Sequence, residues 1–234
     1  MSTFDDLSFS PEDFSGKARL FPLPNLVLFP HVMQPLHIFE PRYRDLLEDA
    51  LAGDRLIAMA VLTPGWEKTY EGRPALCSMA CLGRITTHVR LADGTYNVLL
   101  LGLQRVRLVR EMQPEHRFRE AQVELCADQY RACPAAHQKA LRQQLHDRLL
   151  EFLPMLPVAQ EQLDQLFGSD IPLGVLTDVV SYMLDLDVAH KQRLLGEVDV
   201  YRRTELLLAH LSEATARLVA GQAEVCFPPE FSAN

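Results

Sequence analysis

The early part of this chain is an apolar run broken by prolines. It reads Phe21-Pro22-Leu23-Pro24-Asn25-Leu26-Val27-Leu28-Phe29-Pro30 and resumes as Pro35-Leu36-His37-Ile38-Phe39-Glu40-Pro41-Arg42-Tyr43. Proline fixes φ and has no N–H to give to a ladder. Such a segment forms strand only at a sheet edge or a strand end, with breaks at set places. Pro41 suits the first position of a helix, with Leu46, Leu47, Ala50 and Leu51 as its buried stripe. Glu40 is expected to cap that helix and favour its positive end, and Gly53 to stop it.

Outside that helix, the pattern from Arg19 to Leu125 is mainly strand. Leu56-Ile57-Ala58-Met59-Ala60-Val61 is a short continuous apolar run and reads as a strand buried on both faces. Asp93-Gly94 is a hairpin signal, with a β-prone segment after it at residues 95–101. Gly102 is read as a bend separating that segment from Arg105-Val106-Arg107-Leu108. Ala121, Val123 and Leu125 alternate with Glu120, Gln122 and Glu124, giving a half-exposed strand. Residues 63–74 mix Pro, Gly and charge and read as an exposed loop.

From Pro134 the period becomes helical. Leu141, Leu145, Leu149 and Phe152 form one stripe, which Pro154 and Pro157 break. A short helix is expected to carry Leu163, Leu166 and Phe167. Val175, Val179 and Met183 repeat at four, as do Leu176, Val180 and Leu184. Asp199 is a plausible N-cap for a last helix carrying Leu207, Leu211, Ala214 and Leu218. Strands followed by helices give an α+β chain. The expected division is a flexible tail at 1–18, a β domain at 19–133, a helical bundle at 134–222 and a C-terminal tail at 223–234. The two halves are expected to pack together, because the helical stripes exceed what so small a bundle buries alone.

Composition narrows the function. The net charge is −8 and disfavours a dedicated nucleic-acid binder. Residues 84–119 are locally rich in Arg, which reads as a solvated sheet face or as a patch for an acidic or carboxylate-bearing ligand. No apolar stretch is long enough to cross a membrane. The first residues carry Asp5, Asp6, Glu12 and Asp13 with no basic residue among them, unlike a secretory leader, so a cytoplasmic location is expected. Cys77, Cys81, Cys126, Cys133 and Cys226 are irregularly spaced, which argues against a disulfide framework and against a zinc knuckle. The histidines are scattered with no His-x3-His pair. No metal and no cofactor are expected.

Several motifs in order resemble the amino-terminal, substrate-binding domain of the Lon protease family. They are the proline-broken start, Pro35-Leu36-His37, Cys81-Leu82-Gly83-Arg84-Ile85, Asp93-Gly94 and Leu100-Leu101-Gly102-Leu103-Gln104-Arg105-Val106. In the helical half the resemblance continues from Leu176-Thr177-Asp178-Val179-Val180 through Lys191-Gln192-Arg193-Leu194-Leu195 to Asp199-Val200 and Arg202. Glu40-Pro41-Arg42-Tyr43-Arg44 looks like the small stand-alone members of that family. The resemblance implies a PUA-like β pseudo-barrel followed by a helical bundle. It also implies a module that binds unfolded or apolar protein segments, alongside a protease or chaperone.

The residues themselves give no sign of Lon's catalytic parts. A phosphate loop needs Gly-x4-Gly-Lys-Ser/Thr. Of Lys17, Lys68, Lys139 and Lys191, only Lys17 follows a glycine, and there the first glycine position is Pro11 and the hydroxyl position is Ala18. Nothing resembles the domain that carries Lon's Ser-Lys dyad, so no enzymatic activity is expected. The leading expectation is a non-enzymatic peptide-binding module that uses an apolar groove near the proline-rich edge strand, where β-augmentation is available. The alternative is a small-molecule binder or enzyme with a pocket between barrel and bundle, and RNA binding ranks third. The candidate contact residues are His37, Arg42, Tyr43 and Trp66. The first three stand where the strand passes into the helix, and Trp66 stands in the 63–74 loop, a place where recognition residues often lie.

Overall fold

The apolar run Leu56–Val61 forms a strand that is buried along its whole length. One neighbour lies parallel to it and one antiparallel, the arrangement that a strand without polar alternation suits. This strand belongs to a computed structural model that describes residues 9–69, 72–152, 165 and 167–219. The chain divides into two compact units, one ending at Ala127 and the other beginning at Asp128.

The first unit contains β1 (Lys17–Leu23), β2 (Met33–Ile38), α1 (Pro41–Ala52), β3 (Leu56–Val61), β4 (Met79–Arg90), β5 (Tyr96–Glu111) and β6 (Arg119–Cys126). Five strands close a barrel in the order β1-β3-β4-β5-β6, with β6 returning to β1, and β2 pairs with β5 outside that ring. The β1–β3 pairing is parallel and sets Leu20 beside Ala58. Closure is antiparallel and sets Lys17 beside Gln122. The barrel is filled by Leu20, Leu82, Val106 and Val123 around the small Ala58, Ala60, Ala80 and Ala121. An interior of few strands has room only for packed side chains.

Proline acts differently at the two places where it enters a strand. Pro22 lies in the last part of β1, beyond the residues that pair with β6. Pro35 lies in β2, the edge strand. The apolar residues between them are not strand. Val27, Leu28, Phe29 and Val32 are buried in an irregular connection that docks on β5. The docking is made by backbone: His31 N–H donates to the Gly102 carbonyl and Gly102 N–H to the Val32 carbonyl, both at 2.8 Å. Gly102 therefore does not separate two strands. It lies inside the continuous β5, where a Cβ would come within 2.0 Å of the Phe29 carbonyl oxygen. The chain irregularity is a register shift opposite Leu82 and Gly83.

Two local expectations also change. Residues 9–18 hold a short 3-10 turn at Pro11–Asp13 and the start of β1, and Phe9 and Phe14 pack against the barrel core. Their aromatic area draws this stretch out of the tail that its polar composition suggested. Glu40 makes no side-chain bond to the N-terminus of α1. Its carboxylate instead accepts from Arg42 Nε at 2.9 Å. Leu46, Leu47 and Ala50 are buried as expected, and Tyr43 joins their stripe.

The second unit contains α2 (Ala135–Phe152), α3 (Leu173–Met183), α4 (Val188–Gly196) and α5 (Val200–Val219). Leu141, Leu145 and Leu149 are buried, as are Leu176, Val180 and Leu184. Met183 faces solvent. Asp199 caps α5, its Oδ1 accepting from Tyr201 N–H at 3.0 Å and Arg202 N–H at 3.2 Å. Leu163 and Leu166, Cys226 and residues 223–234 lie outside the described residues, as does the Phe152 side chain.

A polar cluster runs through this unit. The Arg203 side chain is fully buried. Its Nη1 and Nη2 grip the two oxygens of Asp128 at 3.0 and 2.7 Å, and Nη1 also donates to the Glu197 carbonyl. Its Nε lies 3.2 Å from Asp178 Oδ1. Thr177 and Thr204 share a hydroxyl hydrogen bond of 2.9 Å beside it.

Two stability predictions arise here. Gly102→Ala should cost about 1–3 kcal/mol, because Cβ meets a backbone carbonyl that cannot swing aside. Gly168→Ala, with open space around it, should stay within about 0.5 kcal/mol. Urea unfolding of the two variants checks the contrast. Arg203→Ala should cost about 3–5 kcal/mol by removing the cation beside the buried Asp178, and the same assay reads it.

Candidate functional site

Two surfaces of the first unit gather residues suited to binding. The first is the outer face of β2 and its neighbours. Side chains alternate across a strand, so Met33, Pro35 and His37 share one face of β2, and all three are exposed. Register places Met33 beside Leu101, Pro35 beside Leu99 and His37 beside Asn97. Asn97 in turn lies beside Val89 of β4. Met33, Phe39 and Val89 are 42, 47 and 59% exposed, large apolar side chains left in water on one connected patch. His37 Nδ1 is 2.9 Å from Asn97 Oδ1, and the Phe39 ring lies 6.1 Å from the His37 ring. At the near end of the hairpin, hydrogen bonds from Thr95 hold Asp93 below the usual carboxylate range.

The edge of β2 has a definite orientation. In an antiparallel strand the N–H and C=O of one residue point to the same side. The Pro35 carbonyl accepts from its neighbour's side chain, Gln34 Nε2, at 2.8 Å. Pro35, which has no N–H to give β5, thus turns its backbone outward, and Met33 and His37 share that orientation by the period of two.

The second surface is a cavity of about 60 Å³ at the start of α1. Arg42, Arg73, Arg117 and Arg119 reach it, over Tyr43 and Phe118. Arg119 makes a two-point ion pair with Glu111 and donates to the Pro74 carbonyl at 2.8 Å. Arg42 pairs with Glu40 at 2.8 Å and stands 4.7 Å over the Tyr43 ring. Arg117 Nε is 4.0 Å from Asp45, and Arg73 donates to the Met112 carbonyl at 3.4 Å.

The four candidate contact residues therefore do not form one site. His37 lies on the β2 face. Arg42 and Tyr43 line the cavity. Trp66 is half-buried in a 3-10 turn at Trp66–Thr69 and lines neither. Tyr43 is 4% exposed, stacks on Phe21 with centroids 4.3 Å apart, and donates its hydroxyl to the Pro22 carbonyl at 3.1 Å. Sequence reading did not single out Met33, Phe39 or Val89. Strand alternation through 33, 35, 37 and 39 was the available signal. Arg73, Arg117 and Arg119 carried only the signal of local Arg excess. Among the described residues no group of His, Cys, Asp and Glu is placed to hold a metal ion. No described helix is long and apolar enough to cross a membrane.

The model of the ATP-dependent protease La (LON) substrate-binding domain matches residues 17–213, which takes in both the barrel and the helical unit. The chain belongs to the LON substrate-binding domain family. Among curated relatives, Lon protease 2 of Myxococcus xanthus is 27% identical over 204 residues, 86% of this chain and 24% of that protein. Lon protease of Xanthomonas oryzae pv. oryzae is 29% identical over 191 residues, 81% of this chain and 22% of that protein. The chain thus spans about a quarter of the length of the curated relatives it matches.

Two solved structures share the fold over nearly their whole length. A Lon N-terminal domain protein from Xanthomonas campestris is 25% identical with a TM-score of 0.59, covering 82% of this chain and 97% of that one. The N-terminal domain of the Mycobacterium avium complex Lon protease is 18% identical with a TM-score of 0.67, covering 84% and 98%. In the LON substrate-binding family, then, this chain is an α+β member with a closed barrel and a helical unit. The match is to a substrate-recognition module.

Burial separates the candidates in a measurable way. Tyr43→Ala should destabilise by about 3–5 kcal/mol, as loss of a buried aromatic does. Tyr43→Phe, which removes only the hydroxyl bond, should cost about 1 kcal/mol. His37→Ala should stay within about 0.5 kcal/mol. Thermal and urea denaturation of the three variants gives the ranking.

Proposed function

We propose that this protein is a non-enzymatic module that captures extended, apolar segments of other proteins on the outer face of β2, β4 and β5. One observation carries the reading: the exposed Met33, Phe39 and Val89 fall on one patch that ends at an unpaired strand edge among the described residues. Exposed apolar patches of this kind are where proteins meet partners. An added strand would take its main-chain bonds from Met33 and His37, and its side chains would rest beside Met33, Pro35 and Phe39. Membership of a substrate-binding family agrees with this chemistry. In this reading the module presents bound segments to a separate protease or chaperone.

Pro35 limits the register. It removes one donor from the middle of the edge, so a bound strand pairs on either side of it and cannot extend the ladder without a break. This also blunts the edge against pairing with a second copy.

Fluorescence anisotropy with an apolar, extended peptide tests the surface. Phe39→Asp and Met33→Asp should each weaken binding at least tenfold, about 1.4 kcal/mol, with melting temperature unchanged. Native affinity in both variants would refute the β2 face as the binding surface.

A further inference from the structure

We propose that the arginine-lined cavity at the start of α1 is a second, separate site that binds a carboxylate carried on an apolar body. Arg42, Arg73, Arg117 and Arg119 line a cavity of about 60 Å³. Its other walls include Pro22, Leu62, Pro74 and Phe118, which suit an apolar group beside the charged head. A single water needs only about 10–15 Å³ on this scale, so a carboxylate head fits with room beside it.

The charges around the cavity leave a positive excess. Glu40 is engaged by Arg42 and Glu111 by Arg119. Arg117 meets Asp45 only at 4.0 Å, and its side chain is 77% exposed. Arg73 has no carboxylate partner among the described residues and donates to the Met112 carbonyl at 3.4 Å. A guanidinium carries five N–H donors in a planar fork, so Arg73 and Arg117 keep donors to spend on a ligand. The fork matches the two oxygens of a carboxylate. The first turn of α1 lies against the same cavity with no side-chain cap; Pro41 has no N–H, and those of Tyr43 and Arg44 donate to the Glu40 carbonyl. The positive end of the helix adds to the field there.

Arg119 anchors the wall through Glu111 and Pro74, so its replacement would disturb the fold. Arg73 is exposed and held by one long bond, which makes it the probe. Phenylacetate at about 10 mM should raise the melting temperature of the full chain by about 2–4 °C. Phenylacetamide, its neutral counterpart, should not. Arg73→Gln should melt like the native protein and lose the phenylacetate shift, and Phe39→Asp should keep it. A peptide with a free C-terminal Phe that shifts the melt more than phenylacetate supports the site and assigns its ligand to chain ends. The reverse order supports the site and assigns it to small acids. The proposal is overturned if the amide matches the acid, if Arg73→Gln retains the full shift, or if inorganic phosphate shifts the melt and phenylacetate does not.

Discussion

Strand β5 pairs with β4 along most of its length, with β2 over its first part and with β6 over its second. Three partners on one strand force it to bend, and the register shifts opposite Leu82 and Gly83 and near Leu108 and Arg110 are where it does so. Extra residues of this kind kink a strand and increase its twist, which lets a sheet curl into a barrel. The 24–32 connection, buried at Val27, Leu28, Phe29 and Val32, docks at the first of these places through Gly102. Packing around β5 therefore fixes where β2 begins. The β2 face, with its row of exposed apolar side chains, inherits its position from that contact.

Much of this was legible in the residues. The unbroken apolarity of Leu56–Val61 matches a strand with parallel and antiparallel neighbours. Asp93-Gly94 lies in the turn between β4 and β5, with Gly94 at φ +81°. Asp199 caps α5 through two N–H groups. These are local signals, set by neighbours in sequence. What the residues concealed depends on distant partners. The 26–29 run looks like strand, yet its partner is the core and not a ladder. Glu40 stands where a cap belongs, yet Arg42 competes for its carboxylate two residues on and wins with a charge-assisted bond. The cavity arginines are scattered from Arg42 to Arg119, and only the closed barrel gathers them.

The two surfaces differ in what they can hold. The β2 face offers apolar area and backbone edge, which favour long ligands with little regard to side-chain identity. The cavity offers forked donors in a confined space, which favour one small charged group. The helical unit has a third kind of polar chemistry, turned inward. Arg203 hydrogen-bonds both oxygens of Asp128 and stands 3.2 Å from Asp178, with Thr177 and Thr204 beside them. A buried arrangement of this sort fixes which helix faces meet, because any other packing strands a charge.

The pairing of Lys17 with Gln122 has a consequence for the order of events during synthesis. The second edge of β1 has no partner until β6 has emerged from the ribosome, and at about 5–20 residues per second that wait is roughly 5–20 s. Once β3 has followed, β1 and β3 form an open ribbon whose edge is as available to a stranger as to β6. The Lys17 side chain, ion-paired with Glu120 in the finished barrel, lacks that partner throughout the wait and leaves a positive charge on the edge. Edge lysines discourage unwanted pairing, so one residue guards the seam first and then seals it.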